Sequence, residues 1–241
     1  MKSQNPRQRL WQRLTEAGFP PASQQALLDA GRLSLVPAAT TPLKLSHWLP
    51  NDSRLLLDDL PLPAVPPRQY WAYHKPVGVD CNVRTSDPHS IATILQHLPA
   101  GVFAIGRLDK DSCGLLLLSN DGAFAQRLLH PAQHHQKTYQ VQVDKAVSNT
   151  MLQQLRQGLR YQAGPLWIEA RPCLAELLAP ALLQLTLTEG KNRQIRYMCR
   201  QLGLKVLQLH RSRIGALALP DLQAGDLQEL NPQQVALAES C

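Results

Sequence analysis

Cysteine is scarce in this chain and follows no pattern. Cys81, Cys113, Cys173, Cys199 and Cys241 lie far apart, with no Cys-x-x-Cys pair and no histidine cluster at metal-ligand spacing. Neither a disulfide framework nor a zinc site is therefore read here. His134 and His135 adjoin, but neighbours in an extended segment point to opposite faces and make a poor chelate. The thiols are expected to be reduced, in a cytoplasmic protein. No run approaches the ~20 apolar residues of a membrane span, and Met1 to Leu10 is polar and basic without an apolar centre, so secretion and membrane insertion are not expected. No Gly-x-Gly-x-x-Gly follows a candidate strand, which removes the usual signal of a nucleotide-type cofactor. Internal repeats and low-complexity tracts are missing as well.

What is present fits a globular chain. Its 241 residues, 44% of them hydrophobic, suffice for one mid-sized domain with a buried core and a small appendage. Lys and Arg outnumber Asp and Glu by 25 to 18, and the sequence pI is near 9.4. That balance favours anionic partners, nucleic acid being the commonest, although a basic surface also serves solubility.

Pro61, Pro63, Pro66 and Pro67 cannot continue a helix or a central strand and predict an extended connector. The division read from this is an accessory module over 1–60, a linker over 61–68 and a larger domain over 69–241. In the module, Leu10, Leu14, Leu27 and Leu28 predict two short helices, and Leu33 to Val36 and Leu55 to Leu57 predict strands. The larger domain reads as α+β. Its candidate strands are Gln69 to His74, Val102 to Arg107, Leu115 to Ser119, Thr138 to Asp144, Leu166 to Cys173, Leu182 to Thr188 and Leu204 to His210. Ser148 predicts the start of a helix ending near Gly158, and Asn192 the start of one ending at Gly203.

Three segments carry chemistry. Gly106 to Gly114 places two carboxylates, two cations and two glycines in nine residues between two apolar strands. A carboxylate at Asp109, between Arg107 and Lys110, is favoured in its ionised form, as a nucleophile or base requires, although a charged surface connection has the same composition. Gly190 to Arg213 contains Lys191, Arg193, Arg196, Arg200, Lys205, Arg211 and Arg213 without one acid. On its helix, Ile195, Cys199 and Leu202 share an apolar face and Arg193, Arg196 and Arg200 the other. Solvated helix faces normally intersperse acids, so phosphate contact is the favoured reading of that stripe. Lys137-Thr138-Tyr139 opens an alternating strand on which Tyr139 is either core or a platform for a base.

Gly106-Arg107-Leu108-Asp109, continuing through Ser112-x-Gly114-Leu-Leu-Leu-Leu-Ser119-Asn120-Asp121-Gly122, resembles the signature loop of the ribosomal pseudouridine synthase family, which includes small-subunit 16S and large-subunit 23S enzymes. His74-Lys75-Pro76-Val77-Gly78, Lys137-Thr138-Tyr139, and Glu189 to Arg196 running on to Leu209 through Gly215 agree with it in order and spacing. The resemblance spans residues 69 to about 230. It implies a mixed, mainly antiparallel sheet with flanking helices and a central RNA cleft, preceded by a small S4-like α/β module. The module lacks the usual basic residues after Ser23, where Gln24 and Gln25 stand, and Tyr197 replaces a second arginine that is common in the family.

The same resemblance implies roles. Asp109 is the expected catalytic aspartate, Tyr139 the ring that stacks on the target base, and Arg196 the cation that pairs with the aspartate. Arg107 is expected to act in base flipping, Leu209 to line the base pocket, and Lys75, Arg193 and Arg200 to bind substrate. The implied reaction isomerises a uridine to pseudouridine in ribosomal RNA, 23S favoured over 16S or transfer RNA, by a monomer without cofactor or metal. A catalytically silent RNA-binding or ribosome-assembly protein and an RNA methyltransferase are the rival readings. The joint presence of Asp109, Tyr139 and Arg196 opposes the first, and the missing cofactor motif the second.

Overall fold

The computed structural model describes residues 9–49, 53–62 and 67–240. The chain divides into two compact units, Met1–Pro67 and Arg68–Cys241. In the first, helices α1 (Leu10–Glu16) and α2 (Pro21–Asp29) precede an antiparallel sheet of β1 (Leu33–Val36), β2 (Arg54–Leu57) and β3 (Leu60–Pro61). Leu10, Leu14, Leu27, Leu33, Leu35 and Leu55 make its core. The two helices and the strands at Leu33 and Leu55 stand where the leucine spacing predicts them. Pro61 occupies a strand rather than the connector, at an edge where its missing N–H is not needed. Pro63 and Pro66 lie outside the described residues.

The second unit is built on a nine-stranded sheet. Its strands are β4 (Tyr70–Lys75), β5 (Phe103–Ile105), β6 (Cys113–Ser119), β7 (Lys137–Val143), β10 (Leu174–Ala179), β11 (Leu182–Leu187), β12 (Val206–Ile214), β13 (Leu217–Ala218) and β14 (Leu227–Glu229). The order is β10-β11-β7-β12-β6-β4-β14, with β13 on β12 and β5 on β6. Every pairing is antiparallel except that of β12 with β6. Strands β8 (Arg160–Ala163) and β9 (Leu166–Glu169) form a separate hairpin. Helices α3 (Ala92–Leu95), α4 (Gly122–Leu129), α5 (Asn149–Gln157), α6 (Gln194–Gln201) and α7 (Pro232–Glu239) flank the sheet. The α+β architecture is the expected one.

Strand β6 is buried along its whole length. Leu115 and Leu117 enter one cluster with Phe124 and Leu128 of α4, whereas Leu116 and Leu118 enter another with Tyr73, Ile91 and Leu108. Burial on both faces is why the run reads as continuous leucine instead of alternating. Ser148 caps α5 by accepting from the Met151 N–H at 3.2 Å, as expected. The start of α6 differs: its N-cap is Arg193, in the left-handed conformation at φ 50°, and not Asn192. The strand expected over Leu166 to Cys173 stops at Glu169, and β12 runs four residues beyond His210 to Ile214.

Candidate active site

The loop joining β5 to β6 carries Arg107, Leu108, Asp109, Lys110, Asp111 and Ser112, and several contacts from beneath fix its path. The Gly78 N–H donates to the Lys110 carbonyl at 2.8 Å, the Ser112 N–H to the Asp109 carbonyl at 3.0 Å, and the Leu108 N–H to the Cys81 sulfur at 3.4 Å. At the end of β4, Lys75 is fully buried and its Nζ donates to the carbonyls of Pro76 and Ser112, both at 2.8 Å. Burial pushes its pKa down, against the pull of the Cys81 and Cys113 thiols and the Asp111 and Asp109 carboxylates. A fully buried ammonium bonded to two carbonyls cannot meet a phosphate. The expected substrate-binding role of Lys75 is corrected to one beneath the loop.

Above the loop lies a cleft of about 470 Å³ whose lining includes Arg107, Asp109, Lys110, Tyr139, Lys191, Arg193 and Leu209. Asp109 comes from the loop, Tyr139 from the middle of β7, Leu209 from β12 and Arg193 from the start of α6. Four separate elements therefore converge on one volume. Tyr139 packs against both the β7–β11 core and the cluster beneath β4 and β6, while Leu209 is almost wholly buried opposite Val141. Arg107 is exposed at the rim, its Nη1 donating to Asn82 Oδ1 at 3.3 Å.

The cations are distributed otherwise than expected. Arg193, not Arg196, approaches Asp109, with its Nη1 3.8 Å from Oδ2. It also grips Asp111 through two hydrogen bonds of 3.1 and 2.9 Å. Arg196, only 13% exposed, turns to the neighbouring acid. Its Nη2 donates to the Asp111 carbonyl at 2.8 Å and the Ser112 hydroxyl at 3.1 Å, and stands 3.3 Å from the Asp111 carboxylate. The left-handed N-cap explains the exchange, because it swings Arg193 out of the helical path and over the loop. Burial of Asp111 is outweighed by its bonds to Arg193 and the charge of Arg196, so its pKa falls below the usual carboxylate value. The expected arginine stripe is thus only partly a free surface. Arg200 is exposed, but its Nη2 donates to the Gln162 carbonyl at 2.8 Å.

Residues that sequence reasoning passed over complete the wall. Glu189 accepts from the Arg171 N–H at 3.0 Å and meets Lys191 at 3.1 Å. These bonds, with that of Gln194, outweigh burial and lower its pKa. Asp111 itself, the hub of both arginines, was signalled only by two acids spaced i, i+2 among cations.

The family model for RNA pseudouridylate synthases matches residues 69–201. The chain is 36% identical over 173 residues to ribosomal large subunit pseudouridine synthase B of Bacillus subtilis, covering 69% of each. It is 34% identical over 195 residues to ribosomal small subunit pseudouridine synthase A of Pseudomonas aeruginosa, covering 79% of this chain and 83% of that one. With the dual-specificity RNA pseudouridine synthase RluF of Escherichia coli it shares 33% identity over 68% of this chain, a match that spans 55% of RluF. A crystal structure of a pseudouridylate synthase superimposes with a TM-score of 0.67 at 24% identity, covering 95% of this chain and 99% of that one, and so shows the same fold. With four elements converging on Asp109 and relatives of this kind over most of its length, the chain belongs to the RNA pseudouridylate synthase family, the isomerases that turn uridine in RNA into pseudouridine.

Proposed function

We propose that this protein isomerises a uridine in ribosomal RNA, with Asp109 as the catalytic carboxylate. The observation that carries the reading is the convergence of Asp109, Tyr139 and Leu209 on one cleft edged by Arg107, Lys191 and Arg193. The reaction breaks the bond from ribose C1′ to N1, forms one from C1′ to C5, moves a proton off C5 and leaves one on N1. It is redox-neutral and asks for a carboxylate at the sugar, an apolar floor on which freed uracil turns, and a ring to hold it. Asp109, Leu209 and Tyr139 have those chemical characters. A uridine in folded RNA must first leave its stack, at a few kcal/mol, and exposed Arg107 at the rim is placed to enter the vacated space.

Arg193 holds Asp109 toward the cleft in this reading, and Arg196 acts on the aspartate through the loop backbone. Large-subunit 23S RNA is the substrate we favour, because Asn192 to Arg196 is more similar to that branch and the Bacillus subtilis relative bears that name. We read the protein as cytoplasmic, the compartment in which ribosomal RNA would be met. Incubation with ribosomal RNA tritiated at uracil C5 tests the chemistry. We expect tritium release without added cofactor, abolished in Asp109→Asn with RNA binding retained; undiminished release by that variant refutes the assignment. Mapping pseudouridine in total RNA from cells with and without the gene assigns the position, and a missing residue in 16S or transfer RNA overturns the 23S preference.

A further inference from the structure

Apart from the cleft, one exposed face combines cations with aromatic rings. The hairpin β8–β9 turns Tyr161 and Ile168 into the core and, by alternation, Arg160, Gln162, Trp167 and Glu169 outward. Trp167 is 51% exposed, and the Arg160 guanidinium lies 5.0 Å from its ring centroid. Indole left half in water, with a cation over it, is an unusual use of a large apolar side chain. Nothing in the core requires it.

This face is continuous with the cleft. Lys191, at the cleft wall, donates from Nζ to the Glu169 carbonyl at 2.7 Å, joining the wall to β9. Along α6, Tyr197 and Arg200 stand three residues apart on one face, one turn beyond Arg193 at the cleft. Arg200 sits 4.9 Å over the Tyr197 ring and reaches the Gln162 carbonyl, joining α6 to β8. Neither Arg160 nor Arg200 is paired with a carboxylate among the described residues. Glu169 stands opposite Arg160 in the hairpin register and is the one acid on the outer face of the two strands.

We propose that this face is a second RNA contact, on which Trp167 stacks an unpaired base flanking the target uridine while Arg160 and Arg200 meet its phosphates. The proposal rests on the reading that the cleft holds RNA. A single-stranded partner is favoured because indole and guanidinium planes take a base of any kind face-on, whereas a duplex keeps its faces covered. The face therefore adds affinity and reach and takes no part in bond breaking.

The test uses the full chain and a single-stranded oligouridylate of about twelve nucleotides, with affinity read by anisotropy at fixed salt and turnover by tritium release from ribosomal RNA. Loss of one stacked base corresponds to about a fivefold to 150-fold weaker Kd. We expect a loss in that range for Trp167→Ala, most of it restored by Trp167→Phe, with single-turnover release at saturating RNA unchanged. An affinity within twofold of the parent, or a loss that Phe does not restore, overturns the proposal. Asp109→Asn run alongside separates the two readings: its failure to stop tritium release refutes the catalytic assignment and leaves the affinity result for Trp167 standing.

Discussion

Replacing Lys75 by Met separates two roles, phosphate contact and loop anchor, that composition alone cannot distinguish. Methionine keeps the unbranched length and the apolar stem but removes the ammonium and its bonds to the Pro76 and Ser112 carbonyls. Hydrogen bonds to a charged donor contribute about 1.5–3 kcal/mol each, so two of them come to about 3–6 kcal/mol. Removing a buried ammonium relieves several kcal/mol of desolvation in return. The two nearly offset, and we expect a net destabilisation of about 1–3 kcal/mol from the carbonyls left without a donor, measured by urea unfolding. The site suffers more than the fold. Ser112 is tied to the Asp109 carbonyl, so freeing it releases the Asp109 backbone, and a displacement near 1 Å costs about 10²-fold in rate. RNA binding gives the decisive contrast. A lysine on a phosphate contributes about 0.7–0.9 to the slope of log affinity against log salt, whereas a fully buried one contributes nothing. We expect turnover to fall about a hundredfold with the salt slope unchanged; a slope reduced by nearly one unit at normal turnover would falsify the loop-anchor account.

Arg193→Gln removes an attraction across 3.8 Å that Coulomb's law puts between ~1 and ~4 kcal/mol, and the 40% exposure of Arg193 selects the lower end. Single-turnover tritium release should slow about fivefold, and an unchanged rate would remove Arg193 as the partner of Asp109. Arg196→Lys keeps the charge but not the reach of Nη2, the one nitrogen that bonds both the Asp111 carbonyl and the Ser112 hydroxyl, so release should slow by about tenfold or more even though net charge is conserved; full activity of the lysine variant would show that charge alone suffices. Burial first, and then the like charge of Arg211, lowers the pKa of Lys137 to about 8. Between about pH 8 and the unfolded value near 10.4 the unfolded chain binds the extra proton, so stability rises with pH by up to roughly 1.4 kcal/mol per unit. Lys137→Met should lose that rise in urea melts across the window, and parallel profiles for the two proteins would contradict it. In Gly114→Ala the new Cβ would lie 2.6 Å from the Arg211 amide nitrogen and closer still to its carbonyl oxygen, at a φ of +107°. Left-handed strain of about 1–2 kcal/mol and overpacking of about 1–3 kcal/mol predict a loss near 3 kcal/mol, and a variant within 1 kcal/mol of the parent would mean that the strands part freely.

Much of the fold was legible because burial leaves a mark on composition. The leucines of β6, the alternation of β7 and β11 and the apolar face of α6 each follow from which side chains meet solvent. Other elements went unread for equally physical reasons. Asp121 caps α4 by accepting from the Ala123 and Phe124 N–H groups at 3.0 and 3.2 Å, yet within a motif rich in polar residues its capping role merges with the rest. Strand β10 is mostly exposed, so Leu174 to Ala179 has no clean period. Lys75 and Arg211 are buried cations, and a rule that puts charge in water places both wrongly. At the candidate site the motifs brought out Asp109, Tyr139 and Leu209, which the structure gathers into one cleft. They could not give the pairing of the arginines, because that depends on one left-handed residue before α6.

The placement of the cleft follows from how the sheet is joined. Strands β10, β11, β7 and β12 form one antiparallel block, and β6, β4 and β14 another; only the parallel pairing of β12 with β6 unites them, through His210 with Cys113 and Arg211 with Gly114. The Arg211 Nε donates to the Leu115 carbonyl at 2.7 Å across this seam, and the missing side chain at Gly114 lets the backbones approach. Asp109 and its loop belong to one block, whereas Tyr139 and Leu209 belong to the other. Side chains proposed to act on the same nucleotide are therefore held together by a junction whose register is fixed: a slip by one residue would put a Cβ where Arg211 passes Gly114. A parallel junction leaves the starts of both strands at the same edge, which is how one seam brings the Asp109 loop before β6 and the start of α6 before β12 to a single cleft.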